Sequence, residues 1–470
     1  MSPTPHFRTL ALIIASALFM EQLDGTILAT ALPSMAQTFG VSPLTMSIAL
    51  TSYMLSLAVF IPASGTVADR YGARRVFCAA IAVFTFGSIL CAQASTLPFL
   101  VGARLIQGMG GAMMVPVGRL VLLRAVSKQD LVSAMSWLLV PAMIGPVLGP
   151  PLGGLIVQVL SWRWIFYVNL PIGLLGFVLA ARLVPDVRGE VRHRFDMLGF
   201  FLSGLGLSCL VFGLELASRG IGGLTVSLGL LGGGALTLVA YVVHARRIEH
   251  PILDIALLRF DTFRLSVIAG SLTRISAGAL PFLLPLMMQL GFGMSAARSG
   301  LVTFVSAAGA VLMKSTAKPF LRHFGFRNVL VWNGVLSTLM IALCAAFRPG
   351  WSLTAIYLVL GVGGFFQSLQ FTAYNTIAYA ELPSQALSAA TSFYTTFQQL
   401  MLSLGICVAA GVLHASVHFH GRDHTTPGDF SVAFLVITAV SILAAPVSAR
   451  FAPNAGIEMS GHRSRPPRAS

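Results

Sequence analysis

The segment GTVADRYGARR, residues 65–75, separates two apolar stretches, 44–64 and 76–94. Each flank is close to the ~20 residues an α-helix needs to cross the hydrocarbon core of a bilayer. A short basic break containing glycine suits a sharp reversal between two membrane helices, and cytoplasmic connections retain Lys and Arg during insertion. Outward from this break the same alternation continues. Spans are expected at 10–31, 44–64, 76–94, 99–123, 131–160 and 165–184, then at 195–217 and 224–244. A further set is expected at 263–289, 300–320, 329–347, 353–379, 389–413 and 430–450. The expected organisation is a six-helix bundle over 10–184, two additional spans over 195–244, a second six-helix bundle over 263–450, and a disordered basic tail over 451–470.

Composition leads to the same place. Of 470 residues, 56% are hydrophobic and 10% charged, more apolar surface than one soluble core could hide from water. The net charge of +15 would suggest nucleic acid in a soluble protein, but these cations sit in short breaks between spans and in the tail, where they report topology. No nucleic-acid partner is expected. The five cysteines lie inside apolar stretches without metal-like spacing. No small-residue cleavage pattern follows the first apolar run, so it is read as a retained span.

Loop charges orient the chain. One side collects Arg8; Arg70, Arg74 and Arg75; Arg124 and Lys128; Arg182, Arg188, Arg192 and Arg194; Arg246, Arg247, Arg259 and Arg264; Lys318, Arg322 and Arg327; and Arg450 with the tail. The other side has Arg163, Arg219, Arg298, Arg348 and Arg422, one per loop at most. Both termini are therefore expected in the cytoplasm, which requires an even number of spans. The break KPFLRHFGFRNV, 318–329, answers GTVADRYGARRV, 65–76, as internal repeats in transporters do.

Several further segments stand out in register: LDGTILATALP at 23–33, RLIQGMGGA at 104–112, PAMIGPVLGPPLGG at 141–154, WRWIFYVNLPIG at 162–173, LTRISAGALPFLLPLMMQ at 272–289 and QFTAYNTIAYAELP at 370–383. Together with GTVADRYGARR they resemble the signature set of the major facilitator superfamily, in its fourteen-helix drug:proton antiporter branch. The resemblance runs from about residue 10 to 450. It implies an all-α membrane protein with two six-helix bundles and two extra central spans. It also implies proton-coupled export of small amphipathic molecules, multidrug efflux above all. A dedicated exporter of a metabolite, organic acid or metal chelate is the alternative.

The motifs have physical readings. Gly65 and Gly72 are expected to shape the tight turn, with Asp69 near a helix N-terminus where a carboxylate is favoured. The resemblance makes Gly65, Asp69, Arg70, Gly72 and Arg74 a gate, with Arg119 or Arg124 as the basic partner. Pro141, Gly145, Pro146, Gly149, Pro150, Gly153 and Gly154 would disrupt a soluble helix. A membrane helix tolerates them where neighbours approach closely, and the resemblance names this run the antiporter motif. Trp162 and Trp164 beside Arg163 are read as an interfacial anchor.

Ionisable groups in a bilayer cost a few kcal/mol or more each, so they are functional candidates. With the first span leaving the membrane near Pro33 and the fourth entering near Leu97, Asp24 lies about 13 Å and Arg104 about 10 Å deep. Asp24 is the expected proton carrier, Arg104 its modulating partner, and Glu21 a relay on nearly the same face. Arg274, near the midplane, is a candidate substrate contact, with Gln289 as a bland alternative partner. Gln367, Gln370, Tyr374 and Asn375 form a polar stripe beside Phe371, suited to an amphipathic ligand. His414, His418, His420 and His424 are read as an outer-loop cluster, and no metal site is assigned to them. No enzyme is expected, since no nucleophile, base and acid converge and no Gly-x-Ser-x-Gly elbow occurs. No cofactor is expected beyond the proton gradient. The expected partners are protons, a small-molecule substrate and the lipid bilayer, and the working unit is a monomer in the bacterial inner membrane.

Overall fold

The computed structural model describes residues 7–126, 131–186, 195–219, 223–383, 386–422 and 424–460. Among these residues no strand occurs, and thirteen helices are long and apolar enough to cross a bilayer. A fourteenth, Leu131–Val159, carries a shorter apolar part at Met143–Val159. In chain order they are α1 (Phe7–Phe39), α2 (Pro43–Tyr71), α3 (Ala73–Ala92), α4 (Leu97–Ala125), α5 (Leu131–Val159), α6 (Trp164–Leu183), α7 (Met197–Arg219), α8 (Gly223–Ala245), α9 (Asp261–Gly291), α10 (Ala296–Phe324), α11 (Phe326–Cys344), α12 (Leu353–Ile377), α13 (Leu387–Phe419) and α14 (Pro427–Ser448). Lys128, Arg188, Arg192 and Arg194 lie outside the described residues.

The chain divides into two compact units, Met1–Leu253 with Pro281–Phe304, and Asp254–Leu280 with Val305–Ser470. Thus α7 and α8 group with the first six helices, as do the end of α9 and the start of α10. Helix pairs are locked by glycines at their crossings, the way membrane helices approach when lipid supplies no hydrophobic drive between them. A side chain at Gly110 of α4 would strike the backbone of Phe84 and Ala80 on α3, and one at Gly108 would strike Ser56 and the Tyr53 carbonyl of α2. In the second unit, Gly278 of α9 abuts Leu402 of α13, Gly405 abuts Ile275, and Gly309 of α10 abuts Gly361 of α12. The α1–α5 and α2–α4 pairings thus recur as α9–α13 and α10–α12.

The break that opened the sequence is shorter than expected. α2 continues through Asp69 and Arg70 to Tyr71, and α3 starts at Ala73. Gly65 lies inside the helix, so it shapes no turn. The reversal rests on Gly72 alone, at φ +93°, a left-handed value that favours glycine. Gly325, at φ +73°, makes the corresponding one-residue break between α10 and α11.

Three other expectations need correction. α1 passes through Pro33 to Phe39, because membrane helices keep prolines when neighbours satisfy the backbone. α13 runs on to Phe419, so His414 and His418 are helical, and the chain turns only at Gly421, at φ +60°. The tail is ordered to Ser460: Phe451 is buried in the second core, and a short helix forms at Ile457–Ser460. Residues 461–470 lie outside the described residues.

The two added helices form a hairpin in which Gly206 and Gly213 of α7 and Gly234 of α8 give the close approach. Of the thirteen long apolar helices among the described residues, α8 is the least covered, with 17% of its apolar window buried, which suits a helix facing lipid. α7 is tied inward. Its Glu215, 1% exposed, accepts hydrogen bonds from Ser47 Oγ at 2.6 Å and Thr51 Oγ1 at 3.5 Å on α2.

Replacing Gly110 by Leu is expected to cost about 1–3 kcal/mol through overpacking against the α3 backbone. Size-exclusion profiles and melting temperature of the detergent-solubilised variant should show the loss, while Gly232→Leu on α8, with open space around it, should leave both near wild type.

Candidate functional site

Five helices of the first unit converge on the Asp24 carboxylate, which is 1% exposed. Arg104 Nη1 on α4 donates to Oδ2 at 2.6 Å. Oδ1 accepts from Gln107 Nε2 at 2.8 Å and from Asn169 Nδ2 on α6 at 3.0 Å. Ser88 on α3 ties these two amides together, its Oγ accepting from Gln107 at 2.8 Å and from Asn169 at 3.2 Å. Arg104 is itself held by the Ala49 carbonyl of α2 at 3.0 Å and by Gln107 Oε1 at 2.6 Å. Its guanidinium lies 4.3 Å from the Tyr53 ring centroid. Asp24 is thus held by one charge-assisted hydrogen bond and two amide donors. Breaking such a pair by removing one partner costs about 3–5 kcal/mol.

Glu21, one turn earlier, is buried yet makes no hydrogen bond to Asp24 or Arg104. Its Oε2 has no hydrogen-bond partner among the described residues.

The Gly/Pro run on α5 packs along the helix that carries these acids. Gly145, Gly149 and Gly153, four residues apart, would place side chains onto Gln22, Thr26 and Thr30 of α1. Gly154 faces elsewhere, against the Ala296 backbone of α10, and Gly300 of α10 abuts Pro150. Pro141, Pro146, Pro150 and Pro151 all lie within one continuous helix.

At the Gly72 break, Asp69 pairs with Arg124 at 2.8 Å, both side chains about 30% exposed. Of the two basic residues expected there, Arg124 is the one in contact. Arg70 lies exposed over the Tyr71 ring at 5.6 Å, and Arg74 is half-buried on α3. A pair this exposed is worth about 0–1 kcal/mol.

In the second unit the polar stripe of α12 splits. Arg274, 3% exposed on α9, donates to Asn375 Oδ1 at 2.7 Å and, more weakly, to Gln398 Oε1 on α13 at 3.5 Å. Its guanidinium sits 4.5 Å from the Tyr394 ring centroid and 5.4 Å from that of Phe371. Gln370 and Tyr374 face away. Gln370 accepts from Asn333 at 2.7 Å and donates to the Leu330 carbonyl at 2.9 Å, fastening α12 to α11. Tyr374 bonds Ser448 at 2.6 Å near the end of α14. These two residues are therefore packing contacts in this structure. Gln367 stays half-buried with its Nε2 unpartnered among the described residues. Gln289 donates to the Thr30 carbonyl at 3.1 Å.

Among the described residues no group of three or more His, Cys, Asp or Glu side chains could hold a metal ion. His420 instead bonds the Ser416 carbonyl at 2.8 Å.

The profile of the Major Facilitator Superfamily matches residues 14–196 and 266–468. The chain belongs to this family. The MdtD protein of Serratia proteamaculans, whose name assigns it provisionally to multidrug resistance, is 39% identical over 94% of this chain and 92% of its own. MdtD of Escherichia coli CFT073 is 38% identical over 93% of each. Among solved structures, a D-xylose-proton symporter superposes with a TM-score of 0.68 at 14% identity, covering 95% of this chain and 98% of its own. The nucleoside transporter NupG superposes with a TM-score of 0.63 at 17% identity, covering 93% and 98%. At such identities these likenesses carry the fold alone. It is the fold of a Major Facilitator Superfamily transporter, a multi-pass membrane protein and no enzyme.

For this family member, residue-by-residue reading found Asp24 and Arg104 but missed the donors around them. Gln107 and Ser88 are ordinary uncharged polar residues on apolar spans. Asn169 stood in plain view inside WRWIFYVNLPIG, a segment read as an anchor. Trp162 is also more than an anchor: it is 2% exposed and donates to Thr38 Oγ1 at 3.0 Å at the end of α1, while Trp164 is exposed. The signal available for Asn169 was its place one turn into a span, where an amide has no water to bond.

Asn169→Leu should slow transport about tenfold or more with little change in expression, because Asp24 loses one of its donors. Initial rates in vesicles against the amount of folded protein check this. Exchanging the Asp69–Arg124 pair, as Asp69→Arg with Arg124→Asp, should recover most of the transport lost by Asp69→Arg alone.

Proposed function

We propose that this transporter is a proton-coupled exporter of small amphipathic molecules, with multidrug efflux as its activity. The observation that carries the proposal is the Asp24–Arg104 pair, in which a carboxylate buried within the membrane is bonded directly from α4 and α6 and tied through Ser88 and Arg104 to α3 and α2. Such a group exchanges protons only when a conformational change opens it to water and loosens its contact with Arg104. That coupling of protonation to helix movement is what antiport needs. Glu21, with an oxygen unpartnered among the described residues, serves as the relay or as the contact for a cationic substrate. The names of the MdtD relatives favour drugs as cargo.

In this reading the Asp69–Arg124 contact at the Gly72 break is a latch that opens once per cycle, and Arg70 and Arg74 hold the neighbouring face. The glycines of α5 let that helix slide or swivel against α1, so that movement of α5 is felt at Asp24. Arg274 with Phe371 and Asn375 forms the substrate face, joined by Gln367 one turn along α12. The biased distribution of Lys and Arg supports both termini in the cytoplasm, and the bacterial relatives support the inner membrane. The second reading, a dedicated exporter of an anionic metabolite, is favoured by Arg274.

Everted vesicles provide the test. An imposed pH gradient should drive accumulation of lipophilic dyes such as ethidium, and Asp24→Asn should reduce it about tenfold or more and leave the residue insensitive to the gradient. Full gradient-driven accumulation by Asp24→Asn would remove Asp24 from the mechanism. Gradient-independent behaviour across a broad panel of dyes and metabolites would count against antiport altogether.

A further inference from the structure

The two units differ in how they treat a buried arginine. Arg104 meets a carboxylate at 2.6 Å, so its charge is answered within its own unit. Arg274 meets no carboxylate among the described residues, although only 3% of it is exposed. An ionised group in such a place is costly unless paired, and here only two carboxamide oxygens and two ring faces answer it. Lys314 on α10 bonds a hydroxyl, Thr372 Oγ1 at 2.9 Å, and no carboxylate among the described residues. Among the described residues the buried acids Glu21, Asp24 and Glu215 belong to the first unit, and the buried acid of the second, Asp429 at the start of α14, is taken by Arg422 at 3.1 Å.

The guanidinium is also placed for use. It folds back along its own helix over Gly270, where any side chain would strike its Nη1. Its Nε and the Tyr394 hydroxyl are buried without a hydrogen-bond partner among the described residues. The two acceptors now on Nη2 are neutral: Asn375, whose side chain is exposed, and the half-buried Gln398. A ligand carboxylate that displaces Asn375 converts a neutral contact into a charge-assisted one and gains unused donors. The Phe371 and Tyr394 rings beside the cation supply apolar area for the ligand body.

We propose that Arg274 and Tyr394 form an anion-binding subsite that takes the carboxylate of an aromatic or otherwise amphipathic organic acid. The proposal rests on the exporter reading for its purpose and narrows its cargo: the second unit selects a ligand bearing negative charge. Arg104 plays no part in that selection, since Asp24 already neutralises it.

The test compares binding of 2-naphthoate with that of its neutral analogue 2-naphthamide, by calorimetry on the full chain in lipid nanodiscs. Wild-type protein is expected to bind the carboxylate about tenfold or more tightly than the amide. Arg274→Gln should abolish the preference. Tyr394→Phe removes one hydroxyl and no bulk, and should narrow the preference severalfold at an unchanged melting temperature. Equal affinity for the two ligands in wild type would overturn the proposal, as would a preference that survives in both variants. The titration needs no pH gradient, so a transporter that is not proton-coupled would still pass it, and a proton-coupled exporter without this subsite would fail it.

Discussion

A charge inside a bilayer has no water to answer it, and in the first unit the answer is given by protein from four neighbouring helices. Asp24 on α1 draws Arg104 and Gln107 from α4, Asn169 from α6 and, through Ser88, α3, while α2 holds Arg104 by the Ala49 carbonyl and the Tyr53 ring. Each of these helices is otherwise an apolar rod that could rotate or slide in lipid at little cost. The hub fixes their rotation, because turning any of them by one residue removes a donor or acceptor from a buried ion pair. The same polarity that the proposed mechanism uses for proton transfer therefore defines the register of the bundle.

Around the hub, glycine sets the distances. Gly87 and Gly110 let α3 and α4 touch backbone to backbone beside Gln107, and Gly145, Gly149 and Gly153 let α5 lie along the face of α1. Close contact without interlocking side chains is compatible with sliding, whereas interdigitated large side chains are not. The first unit thus combines one rigid electrostatic knot with smooth surfaces beside it. The second unit keeps the smooth surfaces, at Gly278, Gly309, Gly364 and Gly405, and holds its buried Arg274 with amides and aromatic rings in place of a carboxylate.

Much of this was legible in the chain itself. Fourteen spans follow from apolar length and charge at the breaks, and Asp24 and Arg104 could be set at one depth by counting residues. Their partners were harder to see, since Ser88, Gln107 and Asn169 are ordinary residue types whose meaning depends on helix rotation, which hydropathy does not encode. The stripe Gln367, Gln370, Tyr374 and Asn375 misled for a related reason. Helical spacing puts residues near one face but cannot say which of them meet α9 and which meet α11 or α14. Helix ends were misplaced where polar residues continue a helix beyond its apolar part, as at Asp69 and His418, because a helix stops where its backbone conformation must change, at Gly72 and Gly421.

The contact between α7 and α2 bears on how a chain of fourteen spans relates to one of twelve. Ser47 and Thr51 turn one side of α2 toward Glu215, and Ala49 and Tyr53 turn the other toward Arg104. Excising the α7–α8 hairpin would strip two hydroxyls of their partner and leave that polar side of α2 against hydrocarbon tails. The inserted pair has become part of the frame that it joined, and shortening the chain would require α2 to be rewritten on its outer side while its inner side stayed unchanged.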